Sequence, residues 1–112
     1  MTVKLFKDKF YSRTCYGCTK REGWSDNRWH YFKSFSKDDN KEMWYAIDPM
    51  SGLSVAKEHT KTDVVNKVYS PEFIKKFNQY RTFDKYSKQC TEWYDMQVEA
   101  GIIVNNYITD LD

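Results

Sequence analysis

Glycine and proline are scarce, four and two among 112 residues. That scarcity excludes collagen-like, linker-rich and low-complexity architectures, which depend on those residues, and argues for short connections between regular elements. Long apolar runs are also missing. Nothing approaches the roughly 18 consecutive apolar residues of a membrane-spanning helix, and the opening MTVKLFKDKF lacks the apolar core and small-residue cleavage site of a signal peptide. The chain is therefore expected off the membrane and in the cytoplasm. Gly-x-Ser-x-Gly, P-loop and dinucleotide-binding patterns are absent. The two histidines, His30 and His59, neither precede nor follow a recognisable nucleophile turn. No general acid, base or nucleophile is assigned, and a non-enzymatic protein is expected. With no internal repeat or linker, residues 1–112 are expected to form a single domain.

Aliphatic residues are few as well: fifteen Leu, Ile and Val stand against twenty Phe, Trp and Tyr. Rings must carry much of the core. Nine tyrosines and four tryptophans cannot all sink, because each polar tip needs a partner or water, so several rings should lie half exposed. The net charge of +2 hides an asymmetry, with +5 over residues 1–41 and −5 over residues 90–112. Such a bipolar chain can steer one end onto a nucleic acid or an acidic protein, or simply carry solvated faces.

Local patterns predict an α+β domain, an antiparallel sheet of three or four strands packed against two or three helices. Val3 and Leu5 alternate with polar residues as in a short strand over residues 2–6, and residues 11–24 read as loop and turns. Trp29, Tyr31 and Phe35 alternate with His30 and Phe32, giving a strand over 28–35. Pro49-Met50-Ser51-Gly52 separates two further runs, 43–48 and 53–57, as the turn of an antiparallel hairpin. Strict alternation would turn Tyr45, Ile47, Leu53 and Val55 toward the helices and leave Trp44 outside with Ala46, Ser54 and Ala56. Thr60, three residues ahead of Asp63, opens a helix over 61–69. Ser70-Pro71-Glu72 opens a second, with Phe73, Phe77 and Tyr80 on one face. A third runs over 82–100 and is closed by Gly101, and residues 102–108 read as a closing strand.

Three constellations are candidates for chemistry. Cys15-x-x-Cys18, with His30 a dozen residues on, has the spacing of zinc ligands; the fourth would be His59 or Cys90. The alternatives are ordinary reduced thiols and a redox pair, the latter disfavoured because the motif continues as loop where a thioredoxin-type pair opens a helix; the odd count of three cysteines excludes a complete disulfide framework. Lys20, Arg21, Arg28 and Lys33 interleave with aromatic residues, the recipe for a nucleic-acid face. Trp24, Arg28, Trp29 and Trp44 are the residue types that anchor protein interfaces, and are the candidate partner-binding set.

The segment from Trp44 through Lys57 to Asp63 resembles a hairpin-then-helix unit of small accessory proteins of phages and prophages of low-GC Gram-positive bacteria. The chain as a whole is similar to phage-encoded inhibitors of host defence, anti-CRISPR proteins among them. The resemblance implies a partner that is a host protein or nucleoprotein complex. The same unit resembles the arm-type DNA-binding domains of phage integrases, but no basic residue lies between Met43 and Val55, where such a sheet would need them.

Overall fold

The computed structural model describes residues 3–102; the closing strand expected over 102–108 falls, past residue 102, outside the described residues. The architecture is α+β. Five strands, β1 (Phe6–Thr14), β2 (Gly17–Ser25), β3 (His30–Ser36), β4 (Lys41–Ile47) and β5 (Ser54–Glu58), precede α1 (Lys61–Val68), α2 (Pro71–Tyr80) and α3 (Asp84–Glu99). All neighbouring strands are antiparallel, in the order β1-β2-β3-β4-β5.

The sheet has one strand more than the largest number expected, because residues 11–24 are not loop. They complete a nine-pair hairpin running from Phe6↔Ser25 to Thr14↔Gly17. β2 then joins β3 at only Trp24↔Tyr31 and Ser25↔His30. There the hairpin turns out of the plane of β3–β5. A Cβ on Gly23 would strike the Tyr31 carbonyl oxygen, so only glycine allows this approach. Further along, the Arg13 N–H donates to Gly52 O at 2.7 Å. The hairpin thus crosses one face of the sheet and encloses a small core of Phe10, Phe32 and Ile47, flanked by Tyr45.

The helices cover the opposite face. Their core joins Val64, Val65 and Val68 of α1 to Ala46 and Tyr31 of the sheet, Trp29 just before it, Phe77 of α2 and Tyr86 of α3. Trp44 and Ala56 pack against this core, so Ala46, Ala56 and Trp44 face the helices, whereas Tyr45 and Ile47 face the hairpin. This reverses the expectation for both pairs. A register shift at Ala46/Ile47 leaves Val55 as an extra residue between Ala56 and Ser54. The bulge keeps Val55 on the helix side while Ile47 points away. Alanines at the contact let the valine ridge of α1 approach closely. The first two helix starts are as expected: Thr60 accepts from Asp63 N at 3.1 Å and Ser70 from Phe73 N at 3.3 Å; α3 begins at Asp84, two residues later than expected, and Gly101 follows it with φ +75°.

Candidate binding surface

Register and helix placement gather two tryptophans and three lysines from five elements. Lys7 on β1 is the cross-strand partner of Trp24 on β2, and Lys33 on β3 that of Trp44 on β4. The first residue of α1, Lys61, reaches back over both rings: its Nζ lies 4.1 Å from the Trp24 ring centre and 5.9 Å from that of Trp44. Lys7 Nζ is 5.8 Å from the Trp24 ring. An ammonium over an indole face gains about 0.5–1 kcal/mol at an exposed site, and more where water is excluded. Both tryptophans are half buried and press on the helix-side core, which fixes their orientation. Beside Trp24 an open cleft of about 590 Å³ is lined by Lys7, Asp8, Lys9, Glu22 and Gly23. Lys33 is paired with Glu42 at 3.4 Å, and Glu58 stands across from Trp44. Lys7 and Lys61 make no ion pair among the described residues. The surface can therefore offer rigid rings together with unspent positive charge.

Other residues singled out from the sequence are placed apart. Trp29 is 2% exposed, set edge-on against Phe73 and Phe77; it belongs to the core and not to a partner surface. Arg28 sits half buried in the β2–β3 connection. Lys20 and Arg21 are consecutive strand residues and point to opposite faces. Arg21 turns inward, its Nε donating to Ser12 Oγ at 3.0 Å and its guanidinium lying 4.5 Å from the Phe32 ring centre. Lys20, Arg21, Arg28 and Lys33 thus form no single stripe, and of the four only Lys33 joins the tryptophan surface.

Two groupings, one polar and one apolar, escaped sequence reasoning because their members are far apart in the chain. In the first, Ser25 donates to Asp8 Oδ2 at 2.8 Å, and its oxygen lies 2.6 Å from His30 Nδ1. With the hydroxyl proton committed to the carboxylate, the proton between serine and imidazole belongs to Nδ1. The hydroxyl is the middle member and is 1% exposed, so it is neither activated nor reachable as a nucleophile would be. The cluster fastens β1, β2 and β3 where the hairpin bends. His30 stacks on Phe10 at 4.3 Å, and burial pulls its pKa down to about 4 against the attraction of Asp8 and Asp26. The second grouping is an open groove of about 390 Å³ lined chiefly by Leu53, Val55, Phe73, Phe77, Tyr80 and Tyr86.

Cys15 is exposed and Cys18 half buried at the β1–β2 tip, and Cys90 lies on α3. All three are free thiols. His30, held against Phe10 and Ser25, is no third ligand for the cysteine pair. No three His, Cys, Asp or Glu side chains converge on a metal-sized site among the described residues. Compared with known proteins, the chain matches no family model, no curated protein and no solved structure.

Proposed function

We propose that this chain is a non-enzymatic binding protein of the phage accessory type, which inhibits or modulates a host protein or nucleoprotein complex by covering it with the Trp24–Trp44 surface. The observation that carries this reading is the convergence of two oriented indoles with Lys7, Lys33 and Lys61. Large rigid rings lose little conformational entropy on binding and dominate interface energetics. The lysines steer an acidic partner and favour fast encounter. The resemblance of residues 44–63 to phage accessory proteins supplies the class of partner. A second reading, direct nucleic-acid binding, is favoured by the unpaired Lys7 and Lys61 beside stackable rings, on this surface and not along a continuous stripe of residues 20–33.

Capture from an extract of a low-GC Gram-positive host, with and without nuclease, tests both. The chain carrying Lys7→Glu and Lys61→Glu should retain its partner at least about tenfold less well, since each reversal replaces attraction by repulsion worth on the order of 1 kcal/mol. Reversals of Lys75 and Lys88, exposed on α2 and α3, should leave capture unchanged. Equal capture by the Lys7/Lys61 variant and the parent would remove this surface from consideration. Loss of all capture on nuclease treatment, with recovery of salt-sensitive binding to single-stranded DNA, would favour the second reading.

A further inference from the structure

The function proposed above does not use the Cys15-x-x-Cys18 pair, and the fold gives that pair a defined setting. Thr14↔Gly17 is the last rung of the hairpin, Cys15 and Tyr16 make the two-residue turn, and Gly17 supplies φ +94°. The tip is braced from within. Tyr16 N donates to Thr14 Oγ1 at 3.1 Å, and the Thr14 and Thr19 hydroxyls are 2.6 Å apart. It is also anchored to the body by Arg13, through its N–H to Gly52 O and through Nη2, 3.4 Å from Glu92 Oε1. Beyond that anchor the tip projects, with Tyr16 93% exposed.

A structural zinc ion takes four N or S ligands in a tetrahedron. The tip carries two, and the described residues hold no third within reach. We propose that Cys15 and Cys18 are half of a zinc site completed by the same two residues of a second copy of this chain, the metal lying on the two-fold axis between the hairpin tips. An isologous arrangement of this kind needs ligands at the surface, where Cys15 is exposed and Cys18 half buried. Four S–H bonds break, four Zn–S bonds form and four protons pass to solvent, so no oxidant is required. The resulting ZnS₄ centre carries a charge of −2. Arg13 is the direct cross-strand partner of Cys18, and its buried Nη1 has no hydrogen-bond partner among the described residues. A thiolate at Cys18 would give that donor an acceptor, the outer-shell role that metal thiolates favour. Metal binding displaces the thiol protons, so uptake should strengthen as pH rises.

The test is titration of the intact chain, kept under a non-thiol reductant, with zinc and with cobalt. Mass is followed by light scattering and cobalt coordination by visible absorption. We expect one metal per two chains, doubling of the 13.5 kDa monomer mass, reversal by EDTA, and the absorption bands of tetrahedral cobalt thiolate. Cys15→Ser and Cys18→Ser should each weaken metal affinity by more than about a hundredfold, the most that loss of an outer-shell partner alone produces, and Arg13→Gln by about tenfold. Cys90→Ser should change nothing. Reversal by EDTA reads the same site without any substitution, so misfolding of a variant cannot mimic the result. The absence of metal uptake would overturn the proposal. So would one metal per chain at unchanged mass, or a metal-driven dimer that persists in both tip variants.

Discussion

Removing the Asp26 carboxylate should cost more stability than any other single truncation of a polar side chain in the β2–β3 connection. Asp26 Oδ1 accepts from Arg28 N at 2.7 Å and Trp29 N at 2.8 Å, and Oδ2 from the Tyr31 hydroxyl at 2.7 Å and the Tyr69 hydroxyl at 2.9 Å. Burial, reinforced by the carboxylate, pushes both phenols well above their ordinary range and holds them protonated. In Asp26→Ala, Arg28 N and the Tyr69 hydroxyl lie where water can replace the lost acceptor. Trp29 N and the Tyr31 hydroxyl are buried and stay orphaned, at about 1–3 kcal/mol each. The expected loss is about 4 kcal/mol, a large share of the roughly 5–15 kcal/mol that holds a domain together. It should appear as a fall of roughly 15 °C in Tm and, in urea followed by tryptophan fluorescence, as a lower midpoint at unchanged slope. Asp26→Asn should fall between, because an amide oxygen still serves the two N–H groups while its NH₂ confronts two hydroxyls that donate. A loss below about 1 kcal/mol in Asp26→Ala would show that water reaches Tyr31, and that the carboxylate is not what closes this end of the core.

Two further outcomes follow from the geometry. Gly52→Ala should destabilise by about 3 kcal/mol or more, since Gly52 has φ +72° and a Cβ there would meet the Trp93 ring at 2.5 Å, adding overpacking to the left-handed backbone cost; urea unfolding checks it, and a loss under about 1 kcal/mol would mean that Trp93 can retreat. For His30, whose folded pKa of about 4 lies below the ordinary 6.5, the neutral ring is the native form. Its stabilisation is complete above pH 6.5 and drains away as pH falls toward 4, by about 2 kcal/mol at pH 5. Comparing the parent with His30→Gln at pH 7.5 and pH 5 isolates that slope, and equal slopes would place the imidazole in water.

How much of this was legible in the chain depends on the distance over which each signal acts. The helix starts were readable because Thr60 and Ser70 act on N–H groups only three residues away. The β4–β5 turn was readable because Pro49 and Gly52 bracket it, although the Asp48 side chain that accepts from Met50 N and Ser51 Oγ was not singled out. The β1–β2 hairpin was hidden because its inner face is largely polar: Asp8, Ser12, Arg21 and Ser25 bond to one another across the strands or to His30, so no alternation of apolar residues marks it. The faces of β4 were grouped correctly, Trp44 with Ala46 and Tyr45 with Ile47, but assigned to the wrong layers, because the hairpin that covers Tyr45 and Ile47 was itself hidden; the bulge, which leaves no mark in composition, moves only Val55 of β5 to the helix side. Trp24 and Trp44 were individually visible as anchors, but their meeting under Lys61 depends on where α1 begins relative to the sheet, which no local pattern encodes.

The shortage of aliphatic side chains has a further consequence for the surface. A core built from rings must dispose of their hydroxyls, and it does so at two connections and across one helix pair: Tyr31 and Tyr69 donate to Asp26, Tyr86 donates to Asp48, and Tyr80 of α2 donates to Gln89 of α3. Each buried tyrosine so placed spends an acidic or amide group that would otherwise lie on the surface. Burial pushes the Asp48 carboxyl up, although three hydrogen bonds pull the other way, so even this interior acid is held at a cost. Trp24 and Trp44 sit at the margin of the same core with lysine ammoniums over their faces where the interior rings have carboxylates at their edges. A partner that approaches them meets positive charge first and indole second. On the function proposed above, that order would favour an acidic or phosphate-bearing surface over a purely apolar one, because an apolar surface would have to strip water from Lys7 and Lys61 with nothing to offer in return.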